Sequence, residues 1–208
     1  MKNNQWVQLA DKSTVEKTIN SLKENNIEAV FVKDGTQAKN KVIEMIPKES
    51  EVLSMTSTTL EKIGLKEAID ESGKYVSIRK QYMALDMKTQ LKEIKRLRSL
   101  PDWAVGSVHA VTLKGEVLIA SAAGSQIPAY AYGAKHVVWV VGTHKIVKNI
   151  NEGIKRIYEH CLPLENERVK KAYGWTGSSV NKILIFAKES KMLAGRTTLI
   201  FVDQALGF

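Results

Sequence analysis

Three short runs rich in β-branched and aromatic residues, at 27–32 (IEAVFV), 51–55 (EVLSM) and 75–78 (YVSI), punctuate the first part of the chain. Between them, apolar residues recur at three- and four-residue intervals. Val15, Ile19 and Leu22 precede the first run, Ala38, Val42, Met45 and Ile46 separate the first from the second, and Leu60, Ile63 and Ile69 lead to the third. The short runs fit strands and the spaced stripes fit helices. This alternation predicts βαβ units on a largely parallel sheet flanked by helices. The boundary residues agree with it. Ser13 and Glu16 form a capping-box pattern for a helix at about 12–25, Asp34-Gly35 turns the chain into a second helix and Pro47 ends it, and a third helix is expected over 58–72.

The second half has a different pattern. Residues 103–113 and 116–121 flank Lys114-Gly115 and read as a β-hairpin. A small-residue loop with a short helix, AAGSQIPAYAYGAKH, leads into 136–141 (HVVWVV), the most strand-like run in the chain. Asn149 and Glu152 open a helix with Ile150, Ile154, Ile157 and Cys161 inward, and Pro163 is expected just beyond its end. A helical segment at 165–172, a loop at 174–179 and strands at 182–187 and 197–202 follow. Residues 88–98 (KTQLKEIKRLR) suit an amphipathic helix with Met83, Met87, Leu91, Ile94 and Leu97 inward and its basic face in solvent. No repeat or low-complexity linker divides the chain, so one α/β domain over 1–208 is expected.

Several function classes are disfavoured by composition. With 44% hydrophobic and 25% charged residues the chain is not of disordered type. No stretch reaches the roughly 20 apolar residues of a membrane span, and residues 1–17 lack an apolar signal core, which points to a cytoplasmic location. A lone cysteine, Cys161, excludes an intramolecular disulfide and any iron–sulfur cluster or zinc site built from cysteines of this chain. Its place on an apolar stripe suits a buried thiol. His109, His136, His144 and His160 show no helical metal spacing, so no metal is expected. The net charge of +9 favours an anionic partner. Nucleic acid is disfavoured because no zinc-finger, helix-turn-helix or RNP-like pattern accompanies the charge.

Two loops are candidates for a small anionic ligand. Thr56, Ser57, Thr58 and Thr59 follow a strand and open a helix, where strand ends and unpaired helix N–H groups attract anions. The simpler alternative is that one of these hydroxyls only caps the helix. Ser121, Gly124, Ser125 and Gln126 follow the hairpin, where small residues allow close backbone approach; a tightly packed turn is the alternative. His109 falls near Ser121 across the hairpin and is the candidate acid or base, with a structural histidine as the alternative. For Ser57 or Ser125 as nucleophile no base can be placed. Glu116 and Asp86 suit solvated or capping roles.

The segment from Gly106, GSVHAVTLKGEVLIASAAGSQIPAYAYGAKHVVWVVGTHKIVKNINEGIKRI, with the later CLPLENER and Leu206-Gly207-Phe208, resembles the LUD domain of LutC/YkgG-like lactate utilisation proteins. SMTSTTLEKIGL is similar to the family's strand-to-helix segment. The resemblance implies a fold like that of NagB, RpiA and the CoA transferases, and a nucleotide, CoA-like or small organic-acid ligand. It also implies a second option, a non-catalytic accessory subunit or homo-oligomer with a redox-complex partner. Two departures stand out. Many members carry Gly-Asn-Arg where this chain has Gly124-Ser125-Gln126, so a charged contact would come from elsewhere, with Lys135 and Arg196 as candidates. Many also carry cysteines beyond the position of Arg168, whereas 170–179 has none.

Overall fold

A computed structural model describes residues 5–208 of the chain; the first four residues of the N-terminal segment read above lie outside them. In chain order its elements are α1 (Lys12–Glu24), β1 (Glu28–Val32), α2 (Gly35–Met45), β2 (Glu51–Ser54), α3 (Thr58–Lys62), α4 (Leu65–Asp70), β3 (Val76–Ser77), α5 (Ile78–Met83), α6 (Leu91–Ser99) and β4 (Trp103–Gly106). They continue with β5 (Ala110–Thr112), β6 (Val117–Ser121), β7 (His136–Gly142), β8 (Ile146–Val147), α7 (Ile150–Arg156), α8 (Leu162–Tyr173), β9 (Lys182–Phe186) and β10 (Thr197–Val202).

Six strands form one all-parallel sheet in the order β1-β10-β7-β4-β2-β3. Its centre explains why the valine-rich run at 136–141 lacks polar alternation: a parallel strand covered on both faces must be apolar on both. Val137, Trp139 and Val141 enter one core while Val138 and Val140 enter the other. In β10, Leu199 and Phe201 divide from Ile200 and Val202 in the same way. One face is covered by α2, α3 and α4 through Ala38, Val42, Leu60, Leu65 and Ile69.

The other face packs α1 and a second, four-stranded sheet of order β8-β5-β6-β9. Val117 and Ile119 of β6 point into the core shared with the parallel sheet. Their neighbours Leu118 and Ala120 face Ile157 in an outer core, against which Ile150 and Ile154 of α7 pack.

Five local expectations are corrected. Asp11, not Ser13, caps α1, its carboxylate accepting from the Thr14 N–H at 2.9 Å. The helix expected over 58–72 is two helices, because Gly64 turns the chain with φ of 64°. The strand expected over 103–113 splits: β4 belongs to the parallel sheet and only β5 enters the hairpin with β6. Pro163 does not end a helix, since a π-turn at Ile157–Cys161 joins α7 to α8 and Pro163 sits in the first turn of α8. On the basic segment Ile94 is buried, but Met83, Met87 and Leu91 are exposed.

Candidate functional site

Because β2, β4 and β7 are parallel neighbours, the chain leaves all three at the same edge of the sheet. Ligand crevices of open α/β sheets lie outside such carboxyl ends. The loop after β2 supplies Thr56–Thr59, that after β4 supplies Ser107–His109, and the turn after β7 supplies Lys145. Together with the loop after β6 they line one cavity of about 380 Å³, whose remaining lining comes from α8 with Tyr173 at its end, from Trp175 and from Phe208.

Seven of the eight sequence-derived binding candidates, Thr56, Ser57, Thr58, Thr59, Ser121, Ser125 and Gln126, line this cavity, as does His109. Gly124 is outside the lining; its φ of 83° shapes the turn, and a β-carbon there would press on Lys182. Several of these groups are occupied locally. The Ser57 hydroxyl caps α3 by accepting from Leu60 N–H, and Ser121 Oγ accepts from Gly124 N–H at 2.8 Å while donating to Gln126 Oε1 at 2.9 Å. Gln126 Nε2 donates to Ala120 O, so this loop is held by its own polar groups.

The sequence reading missed Lys145 and Ser107. Lys145 is 2% exposed. Its Nζ lies 3.1 Å from Val108 O, 3.2 Å from Ser107 Oγ and 3.4 Å from Thr59 Oγ1. Among the described residues it has no ion pair. Burial, reinforced by the Arg156 charge, lowers its pKa to about 7. Ser107 follows Gly106, against which the Tyr130 phenol oxygen packs. The one sequence signal for either residue is its place just beyond a strand of the parallel sheet.

His109 bridges the hairpin. Its Nδ1 accepts from Ala120 N–H at 3.1 Å, which puts the proton of the neutral ring on Nε2. Burial, with Lys145 and Arg156 nearby, lowers its pKa to about 3, so the ring enters the cavity as a donor. Arg156 is fully buried beneath it and donates to His109 O at 2.6 Å and Cys161 Sγ at 3.0 Å. The Cys161 thiol is buried as expected, and that burial raises its pKa.

The charge lining the cavity is unbalanced. Arg98, Lys145 and Arg168 line it, against one side-chain carboxylate among the described residues, Glu165. Glu165 is already held by both Nε and Nη2 of Arg168, at 2.7 and 2.8 Å. Arg79 reaches Thr56 Oγ1 at 3.1 Å. Neither sequence candidate for a charged contact lies here. Lys135 is exposed away from the cavity, and Arg196 is buried elsewhere, donating to Ala129, Tyr130 and Ala134 carbonyls and to Glu189. Of the isolated carboxylates, Asp86 caps a turn through Lys88 N–H and Thr89 Oγ1, and Glu116 accepts from Thr112 Oγ1. The described residues contain no group of three potential metal ligands and no helix long and apolar enough to cross a membrane.

The model of the LUD domain family matches residues 15–201. No curated protein matches. A solved structure of a DUF162 family protein from Deinococcus radiodurans aligns over 94% of this chain and 99% of its own, with a TM-score of 0.55 and 10% identity. At that identity the likeness concerns the fold. The structure of eIF2B beta from Chaetomium thermophilum aligns over 57% of this chain and 44% of its own, with a TM-score of 0.38 and 14% identity.

Proposed function

Starting from the chain's membership of the LUD domain family, we propose that it binds a small anionic metabolite, nucleotide or CoA-like ligand in the cavity beyond β2, β4 and β7. One observation carries the reading: Lys145 and Arg98 face this space without a carboxylate partner among the described residues. A buried ammonium without a counter-charge is costly, and an anion entering the cavity offsets that cost. The hydroxyls of Thr56, Thr58 and Ser125, with His109 Nε2–H, add neutral donors. Exposed Tyr173 and Trp175 give the mouth apolar faces suited to a ring. The family resemblance favours a place in lactate or organic-acid utilisation.

A thermal-shift panel tests the reading, with phosphate, lactate, pyruvate, phosphosugars, nucleotides, folates, CoA and acyl-CoAs. A ligand at 100 times its Kd adds about 2.7 kcal/mol, a shift of roughly 5–10 °C at this chain length. The expected result is a hit that disappears in Lys145→Met. A panel without hits, or a shift kept in Lys145→Met, overturns it. A stoichiometric protein partner on co-purification, with no ligand hit, would favour the accessory-subunit alternative.

A further inference from the structure

We propose that Ser107 and Lys145 form a nucleophile–base pair able to take an acyl group from an ester or thioester in this cavity. The inference goes beyond ligand binding, because it assigns a reaction and the atoms that carry it.

The hydrogen bonds around Lys145 select Ser107. A neutral amine offers two N–H donors and one lone pair. Val108 O can only accept, and the Thr59 hydroxyl has Leu206 O as its own acceptor at 3.1 Å. Thr59 Oγ1 also lies 3.3 Å from Ser107 Oγ, but with its proton on the shorter bond to Leu206 O, Ser107 Oγ, 3.2 Å from Nζ, is the partner with a proton to give. When Lys145 is protonated, all three partners accept from it, so one geometry serves both charge states. That is the requirement for a base that must take a proton and later return it. The pair also meets the remaining conditions for an activated nucleophile. Ser107 lines the cavity and its base is buried, held by three contacts. Serine–lysine pairs are an established variant of nucleophile activation.

The chemistry balances without a cofactor. Ser107 Oγ attacks the acyl carbon, forming a C–O bond as its proton passes to Lys145 Nζ. The new ammonium faces the developing oxyanion, and His109 Nε2–H is a further donor lining the same cavity. Collapse breaks the bond to the leaving thiolate or alkoxide, which takes the proton from Nζ. Water then attacks the seryl ester, gives a proton to Nζ, and releases the acid as that proton returns to Oγ.

The titratable groups acting on Lys145 are Arg156 from α7, His160 and Cys161 from the π-turn, Lys62 from α3, and His109 and His144. None is a carboxylate; Cys161 alone favours the charged amine, and burial with the Arg156 and Lys62 charges outweighs it, lowering the pKa to about 7.

The test uses the full chain with two neutral probes, p-nitrophenyl acetate and a fluorophosphonate, read by intact mass and peptide mapping. The expected result is one adduct per chain, on Ser107, absent in Ser107→Ala. Labelling in Lys145→Met should be slower by about a hundredfold or more, the usual contribution of a general base. In the wild type the labelling rate should rise with pH around a midpoint near 7. No adduct, an adduct on another residue, or a rate independent of pH between about 6 and 8 would overturn the proposal. So would unchanged labelling in a folded Lys145→Met. If that variant does not fold, the wild-type pH profile and Ser107→Ala still decide. Because the probes carry no charge, labelling without any anion-induced shift rejects the binding proposal alone, and a shift without labelling rejects this one alone.

Discussion

The phenol oxygen of Tyr130 occupies the space that a β-carbon on Gly106 would fill, at the point where β4 ends and the chain turns to Ser107. The glycine is required for space, since its φ is not in the left-handed range. Gly106→Ala should therefore displace either the ring or the strand end and cost about 1–3 kcal/mol in denaturant unfolding, as overpacking does. Removing the hydroxyl in Gly106→Ala/Tyr130→Phe should recover part of that loss. Two strictly additive effects would mean that the two residues do not compete for one site.

Stability should rise with pH from acid to alkaline conditions, and the sign follows from four bases. Burial holds His109, His144 and His160 at about 3, 2 and 4, below their ordinary 6.5, so below that pH the unfolded chain takes up protons the folded chain refuses. For the buried pair His144 and His160 the slope is about 1.4 kcal/mol per pH unit each while only the unfolded form titrates. Lys145 acts likewise between its folded value of about 7 and its ordinary 10.5. Denaturant midpoints measured from pH 5 to 10 should climb, and Lys145→Met should flatten the limb above pH 7. A midpoint that falls from pH 7 to 9 in the wild type would contradict this.

Arg196 and Glu189 form a buried pair at 2.9 Å that also satisfies three backbone carbonyls and the Thr197 hydroxyl. Arg196→Met leaves Glu189 buried and uncompensated, at an expected cost of about 3–5 kcal/mol. Calorimetry would read this as a large drop in Tm. The folded fraction should keep any anion-induced shift, since Arg196 does not line the cavity.

Of the four tryptophans, Trp6, Trp103 and Trp139 are at most 8% exposed, whereas Trp175 is 60% exposed at the cavity mouth. Acrylamide quenching of the native chain should report mainly Trp175. Trp175→Phe should remove most of the quenchable emission, and equal quenching in that variant would mean a buried indole is accessible.

The centre of the sheet was legible because β7 and β10 are covered on both faces, which writes burial into composition: HVVWVV can hardly lie elsewhere than at a centre. The two polar loops were legible for a different reason, since hydroxyl and small residues stand out after apolar runs. The pair at the cavity floor was not. Lys145 after a strand reads as a solvated residue, and its burial comes from α7, the π-turn and the hairpin, none of which reveals its placement through local spacing. Ser107 was hidden because 103–113 is uniformly strand-like. The switch from one sheet to the other occurs at 107–109, where the His109 N–H already pairs with Leu118 O. Arg196 shows the converse error: its charge suggested a ligand, while its neighbours provide an internal acceptor set.

The place of β10 between β1 and β7 has a consequence for how the chain is made. In the parallel sheet β1 bonds to β10 alone, with Glu28 opposite Thr198 and Val32 opposite Val202. An early strand thus waits for a partner synthesised most of the chain's length later. During translation β1 has an open edge, exposed to mispairing, while β2, β4 and β7 can already associate. Closing so long a loop makes for high contact order and slow acquisition of the native state. The last step of folding should be insertion of β10, which at once gives β1 its neighbour and completes the centre of the sheet.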